Sequence, residues 1–184
     1  SNVERSEYLR KILDDNGDQI FILPLQGFIF FGTANKLLQR VLDRIESDTS
    51  NSMKYLLSDF RQVTGMDSSA VNSFNKLKIM AENHKFQVLL CGLNQDINEQ
   101  LLIEGLIPDD SNLIQIFVDL DHGLEWCEEQ IIQTVLKDSG DLDRLGDNSQ
   151  FRNMLSDISA YLEEQDGPAD MVIIEQGKKA AGIY

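Results

Sequence analysis

The chain has 184 residues, 42% of them hydrophobic, and a net charge of −15 at pH 7. That length supports one domain with a good core, or one domain and part of another. The charge excludes nucleic-acid phosphates and an anionic lipid surface as general partners, while leaving room for a local basic patch. No apolar run approaches the roughly 18–20 residues of a membrane span, so no direct membrane insertion is expected of this chain. Residues 1–11 are polar and charged, without a secretory signal pattern. Ser1-Asn2 in place of an initiator Met reads as a tag remnant, which leaves open a membrane part outside the chain.

Residues 1–18 form a lead-in, helical or irregular over 4–15 and ended by the turn cluster Asp14-Asp15-Asn16-Gly17-Asp18. Residues 19–25 have the length and apolarity of a buried strand, with Pro24 tolerable at an edge or strand end. Gly27 separates this run from Phe28-Ile29-Phe30-Phe31, which predicts a tight turn and a second short strand. Residues 35–45 carry Leu37, Leu38, Val41, Leu42 and Ile45 at helical spacing. A polar stretch over 47–52 leads into a predicted strand over 54–60.

Residues 59–71 read Asp-Phe-Arg-Gln-Val-Thr-Gly-Met-Asp-Ser-Ser-Ala-Val. A strand end, a polar turn and a helix start are compressed into that span. Asp67 and Ser68 both suit an N-cap, where a side-chain oxygen accepts from the free N–H groups of the first turn. Such a helix start also favours an anion or a phosphorylated hydroxyl. The helix expected over 71–84 has Val71, Phe74, Leu77 and Met80 along it. A strand over 86–90, a short helix over 94–104, a strand over 113–118 and a longer helix over 119–136 follow. Gly105 and Pro108 stop the short helix. This alternation predicts an α/β fold, with helices packed on a central, mostly parallel sheet.

Beyond 136 the composition shifts. Residues 137–150 are acidic and turn-rich, as in a linker. Residues 151–162 are amphipathic, with Phe151, Met154, Leu155, Ile158 and Leu162 on one side, and short strands are expected at 171–174 and from 182.

Catalysis has no candidate residues. Cys91 and Cys127 belong to no zinc-spaced cluster and read as reduced packing residues. Asp119, Asp121, His122 and Glu125 gather at a strand-to-helix junction, but acids there match the helix dipole and need no metal. His84 lies at a helix end, where it suits the last carbonyls. No enzyme activity, cofactor or metal is therefore expected.

The wording of two stretches adds a resemblance. DFRQVTGMDSSAV resembles the signature of STAS domains, an Asp followed by two hydroxyl residues and a small residue at a helix start. The earlier Leu25-Gln26-Gly27 with Phe30-Phe31-Gly32-Thr33-Ala34 is similar to a pattern of STAS domains in SulP-type anion (sulfate) transporters. Ala70, where related anti-sigma-factor antagonists usually have Gly, fits the transporter subgroup. The resemblance implies the STAS fold over 19–136, with its first two strands antiparallel. It implies a regulatory module at the cytoplasmic face of the cell inner membrane, contacting the transmembrane domain of its own transporter and other cytoplasmic proteins. Homo-oligomer formation is an open option. The contact surface would be the loop Thr64, Gly65, Met66 and Asp67 with the helix after it. The alternative is a soluble phosphoswitch of the anti-sigma-factor-antagonist kind, using Ser68 or Ser69. Finally, YLEEQDGPADMVIIEQGKKAAGIY, within residues 151–184, resembles the opening of a cyclic-nucleotide-binding domain. The phosphate-binding cassette of that family has no counterpart before Tyr184, so no nucleotide ligand is expected for the chain.

Overall fold

The computed structural model describes residues 7–47, 52–107 and 112–140. The expectations for the linker and for 151–184 lie outside the described residues. The order of elements is α1 (Glu7–Asn16), a 3-10 turn (Gly17–Gln19), β1 (Ile20–Ile29), α2 (Phe31–Ser47), β2 (Tyr55–Met66), α3 (Ser68–His84), β3 (Gln87–Cys91), α4 (Gln95–Ile103), β4 (Ile114–Phe117) and α5 (Leu120–Asp138).

The four strands form one parallel sheet in the order β1-β2-β3-β4. Each step moves one strand in the same direction. Right-handed crossovers then place every connecting helix on the same face. The packing agrees: α2, α3 and α4 share a core with Leu23, Leu25, Leu56, Phe60, Val88 and Leu90. The helix after the last strand is free of that rule, and α5 covers the opposite face through Leu124 and Cys127 against Leu57, Leu89 and Cys91. Consecutive residues of β2 and β3 thus alternate between two cores. This is why Tyr55 to Leu57 of β2 and Val88 to Cys91 of β3 read as continuous apolar runs rather than as apolar–polar alternations. Both cysteines are free and buried, as their surroundings in the sequence led us to expect.

The start of the sheet departs from the expectation. Residues 20–29 make one strand, not two, and all pairings among the described strands are parallel. The physical reason lies in β2, which runs on to Met66 and gives residues 26–29 a partner. Gly27 adopts φ +72° without reversing the chain. It marks a place where the register slips, from Gly27 opposite Val63 to Phe28 opposite Gly65. A positive φ inside a paired strand makes a bulge as readily as a turn, and sequence alone does not separate the two.

Candidate functional site

The three strand-to-helix junctions that follow β2, β3 and β4 share one device. Asp67 accepts from the Ala70 N–H at 2.9 Å, Asn94 from the Ile97 N–H at 2.9 Å, and Asp119 from the His122 N–H at 2.9 Å. Each is an N-cap bonding the third residue of its helix. Of the two cap candidates read from the sequence, Asp67 is the cap and Ser68 is the first helical residue. The Ser69 hydroxyl donates to the same Asp67 Oδ1 at 2.6 Å. Ser68 is exposed, and Ser69 is half-buried.

The predicted contact loop is shorter than expected. Thr64, Gly65 and Met66 are the last residues of β2, and only Asp67 stands between strand and helix. They are held there by β1: Gly65 and Met66 pair with Phe28 and Ile29, and the Asp67 N–H donates to the Ile29 carbonyl at 3.0 Å. The two stretches that carry the family resemblance, 25–34 and 59–71, therefore meet in space. The Phe28 ring lies over Gly65, where a Cβ would fall 2.9 Å from Phe28 Cε2.

This junction carries a feature the sequence reading missed. Phe28, Phe30 and Phe31 are 53%, 51% and 53% exposed. They flank the buried Ile29, whose carbonyl holds Asp67. Thr33 fixes the turn that presents them: its hydroxyl donates to the Phe30 carbonyl and accepts from the Phe30 N–H, both at 2.8 Å. Hydropathy counts such aromatics as core. The signal that was available is their placement, three rings within four residues around a single inward-facing position.

A second cluster lies where β3 and β4 end beside the middle of β2. Asp59 is 9% exposed and is gripped by Arg61, through Nε at 3.0 Å and Nη2 at 2.8 Å. Hydrogen bonds from Arg61 hold the Asp59 carboxyl below the usual carboxylate range, against the opposing effect of burial. The same Asp59, with Asp121 and Asp119 further off, raises the pKa of Arg61. The Arg61 stem packs over Gly92, where a Cβ would meet Arg61 Cγ at 2.8 Å. Burial, with Asp59 and Asp119 nearby, pushes the Cys91 thiol up to about 12, which makes it an inert packing group.

The junction of Asp119, Asp121, His122 and Glu125 is a capped helix start. His122 Nδ1 lies 2.8 Å from Asp119 Oδ1, and this contact raises the imidazole pKa. Among the described residues no group of three or more His, Cys, Asp or Glu side chains is placed to hold a metal. No described helix is long and apolar enough to cross a membrane.

Comparison with known proteins agrees with the geometry. Residues 12–121 match the family model described as STAS domain. The chain is 31% identical over 140 residues to "Vacuolar basic amino acid transporter VSB1" of Saccharomyces cerevisiae, covering 72% of this chain and 13% of that protein. It is 27% identical over 132 residues to "Glutaminase 2" of Bradyrhizobium diazoefficiens, covering 72% of this chain and 20% of that protein. This chain therefore spans only a small part of either curated relative. Among solved structures it is similar in fold to a sulfate transporter family protein from Wolinella succinogenes, with a TM-score of 0.51 and 20% identity. That match covers 62% of this chain and 88% of the other. On the family match, the motif at Asp67 and the parallel sheet that presents it, this chain belongs to the STAS domain family.

Proposed function

We propose that this chain is the regulatory and interaction module of a SulP-type anion transporter, working by protein–protein contact and not by catalysis. The observation that carries this reading is the patch of Phe28, Phe30 and Phe31 beside the Asp67 turn. Exposed aromatics beside a polar rim are the composition of a protein contact surface. Within the Thr64, Gly65, Met66 and Asp67 segment, the exposed Thr64 and half-buried Asp67, with the exposed Ser68, supply that rim, while Met66 is buried in the core. The partner is the transmembrane domain of the same transporter at its cytoplasmic face, with other cytoplasmic proteins as further partners. The FFGTA and DFRQVTGMDSSAV wording and the similarity to a yeast transporter support this reading. So does the similarity to a glutaminase: a module common to a transporter and a hydrolase suits regulation of either, and neither chemistry. Residues 151–184 are the opening of a cyclic-nucleotide-binding domain in the same reading, on the strength of their wording.

The test is made on the natural protein. An antibody to the chain is used on membranes and cytosol of the source cells, with an alkaline wash of the membranes. The expected result is a washed-membrane band several times larger than 20.9 kDa. A band found only in the cytosol, of any size, overturns the transporter reading.

A second reading rests on the exposure of Ser68 at the first position of α3. Phosphorylation there adds about −1.5 to −2 of charge at a helix start, next to the rim of the aromatic patch. Ser69 is the less accessible alternative, since its hydroxyl is bonded to Asp67. If Ser68→Asp and Ser69→Asp both leave all partner binding unchanged, this reading fails.

A further inference from the structure

Between α2 and the paired strands β1 and β2, the structure leaves a cleft of about 580 Å³. Its lining includes Leu25, Gln26, Lys36, Leu37, Arg40 and Gln62. The volume falls within the range of roughly 300–1,000 Å³ typical of small-molecule sites. We propose that this cleft binds a small organic carboxylate.

Three observations carry the inference. The first is charge. Lys36 and Arg40 lie four residues apart on α2, so they project from the same helix face, and both line the cleft. Among the described residues neither makes an ion pair or a side-chain hydrogen bond. In a chain of net charge −15, two neighbouring cations without acidic partners are a local reversal of sign. The acid at the cleft wall, Asp59, does not compensate them, because both its oxygens are held by Arg61.

The second is the backbone. The register of β1 and β2 slips between Pro24 and Gln26, where one residue of β1, Leu25, spans two of β2, Phe60 and Arg61. The slip brings Gln26 opposite Gln62. Register partners leave a sheet on the same side, so two amides stand side by side at the cleft. Primary amides donate and accept, which suits the polar end of a ligand whose charged end meets the cations.

The third is the floor. Leu25, Ile29 and Leu37 line the same cleft and provide contact for a short hydrocarbon chain. A guanidinium binds a carboxylate through two parallel hydrogen bonds, and an ammonium adds a point charge. Cations at one side, amides at another and an apolar floor between them match a carboxylate on a short chain with a second polar group. Simple inorganic ions satisfy the cations only.

The experiment is an amide NMR titration of the 184-residue chain with a panel of three- to six-carbon mono- and dicarboxylates. The uncharged diol of each length and sodium sulfate at equal ionic strength are the controls. The expected result is saturable shifts at residues 24–29, 33–40 and 59–62 with at least one carboxylate, and none with its diol. Lys36→Gln together with Arg40→Gln weakens that affinity by about ten-fold or more, while Lys76→Gln, on α3 and outside the cleft lining, does not. Both altered side chains are exposed, and an unchanged spectrum outside the cleft shows that the fold is kept. The proposal is overturned if no carboxylate gives saturable shifts there. It is equally overturned if sulfate matches the best of the panel, or if the double variant binds as tightly as the parent.

Discussion

Phe28 rests its ring on Gly65, its register partner in the neighbouring strand, and stays half exposed there. The contact joins the two stretches by which the family is recognised. It also makes Gly65 a footing for the aromatic patch, because any side chain at 65 occupies the space of the ring.

Gly65→Ala separates presentation of the patch from stability. The clashing atom is the far end of an exposed ring, which swings away at little expense. Thermal stability is expected to change by less than about 0.5 kcal/mol, while the Phe28 ring resonances move. Gly123→Ala is the contrast. Its Cβ would lie 2.7 Å from the buried Cys91 Sγ, and α5 packs on the sheet there. Overpacking at such a place costs about 1–3 kcal/mol. Denaturant unfolding of both variants checks the pair, and equal losses would contradict it.

Asp67→Ala removes the cap of α3, leaves the Ser69 hydroxyl without its acceptor and leaves the Ala70 N–H with the Asp67 backbone carbonyl at 3.0 Å alone. The expected loss is about 1–2 kcal/mol. Asp67→Asn keeps an acceptor oxygen and should lose less than half as much. Urea unfolding midpoints of the two variants decide the matter.

The Asp59–Arg61 pair makes stability depend on acid. The folded carboxyl has a lowered pKa. Its contribution is present above the unfolded value of about 3.9 and is lost as pH falls through the folded value. Asp59→Asn should therefore destabilise the chain by about 1–2 kcal/mol at pH 7. The gap to the parent should begin to narrow below about pH 4. Unfolding free energies at pH 7 and pH 3 give the comparison, and a gap that widens in acid would refute the assignment.

Lys85 ends α3 in the left-handed conformation, at φ 59° and ψ 45°, with its N–H on the Ala81 carbonyl. A Cβ is strained there and a glycine is not. Lys85→Gly is expected to raise stability by about 0.5–1 kcal/mol, seen as a higher melting temperature. A lower one would show that Lys85 contributes something besides its backbone.

His122 titrates above its ordinary value because the Asp119 carboxylate accepts from it. Asp119→Asn keeps the cap but removes the charge, so the imidazole pKa should fall toward 6.5. A histidine with a raised folded pKa stabilises below its unfolded pKa, and the effect fades as pH rises through the folded one. Following the ring protons of His122 by NMR between pH 5 and 9 shows whether the shift depends on Asp119.

Much of this fold is legible in the residues themselves. The N-caps after β2, β3 and β4 are each an Asp or Asn, because a short acceptor must reach a free N–H three residues on. The strand segments 55–57 and 88–91 are apolar on both sides, because helices cover both faces of a parallel sheet. The wording around Asp67 identified the family that the later comparison established. Three features came only from tertiary structure. Gly27 reads as a turn, and only the extended β2 beside it makes it a bulge. Phe28, Phe30 and Phe31 read as part of a second short strand, and their exposure stays hidden, since hydropathy registers the side chain and not the direction it faces. Lys36 and Arg40 carry no site signal in the sequence, and only the register slip at Leu25 sets two amides and a cleft beside them. Local sequence determines where helices begin and which residues prefer burial, because capping and solvation act within a few residues. Which strand finds a partner, and which surface is left uncovered, depends on contacts between residues far apart in the chain.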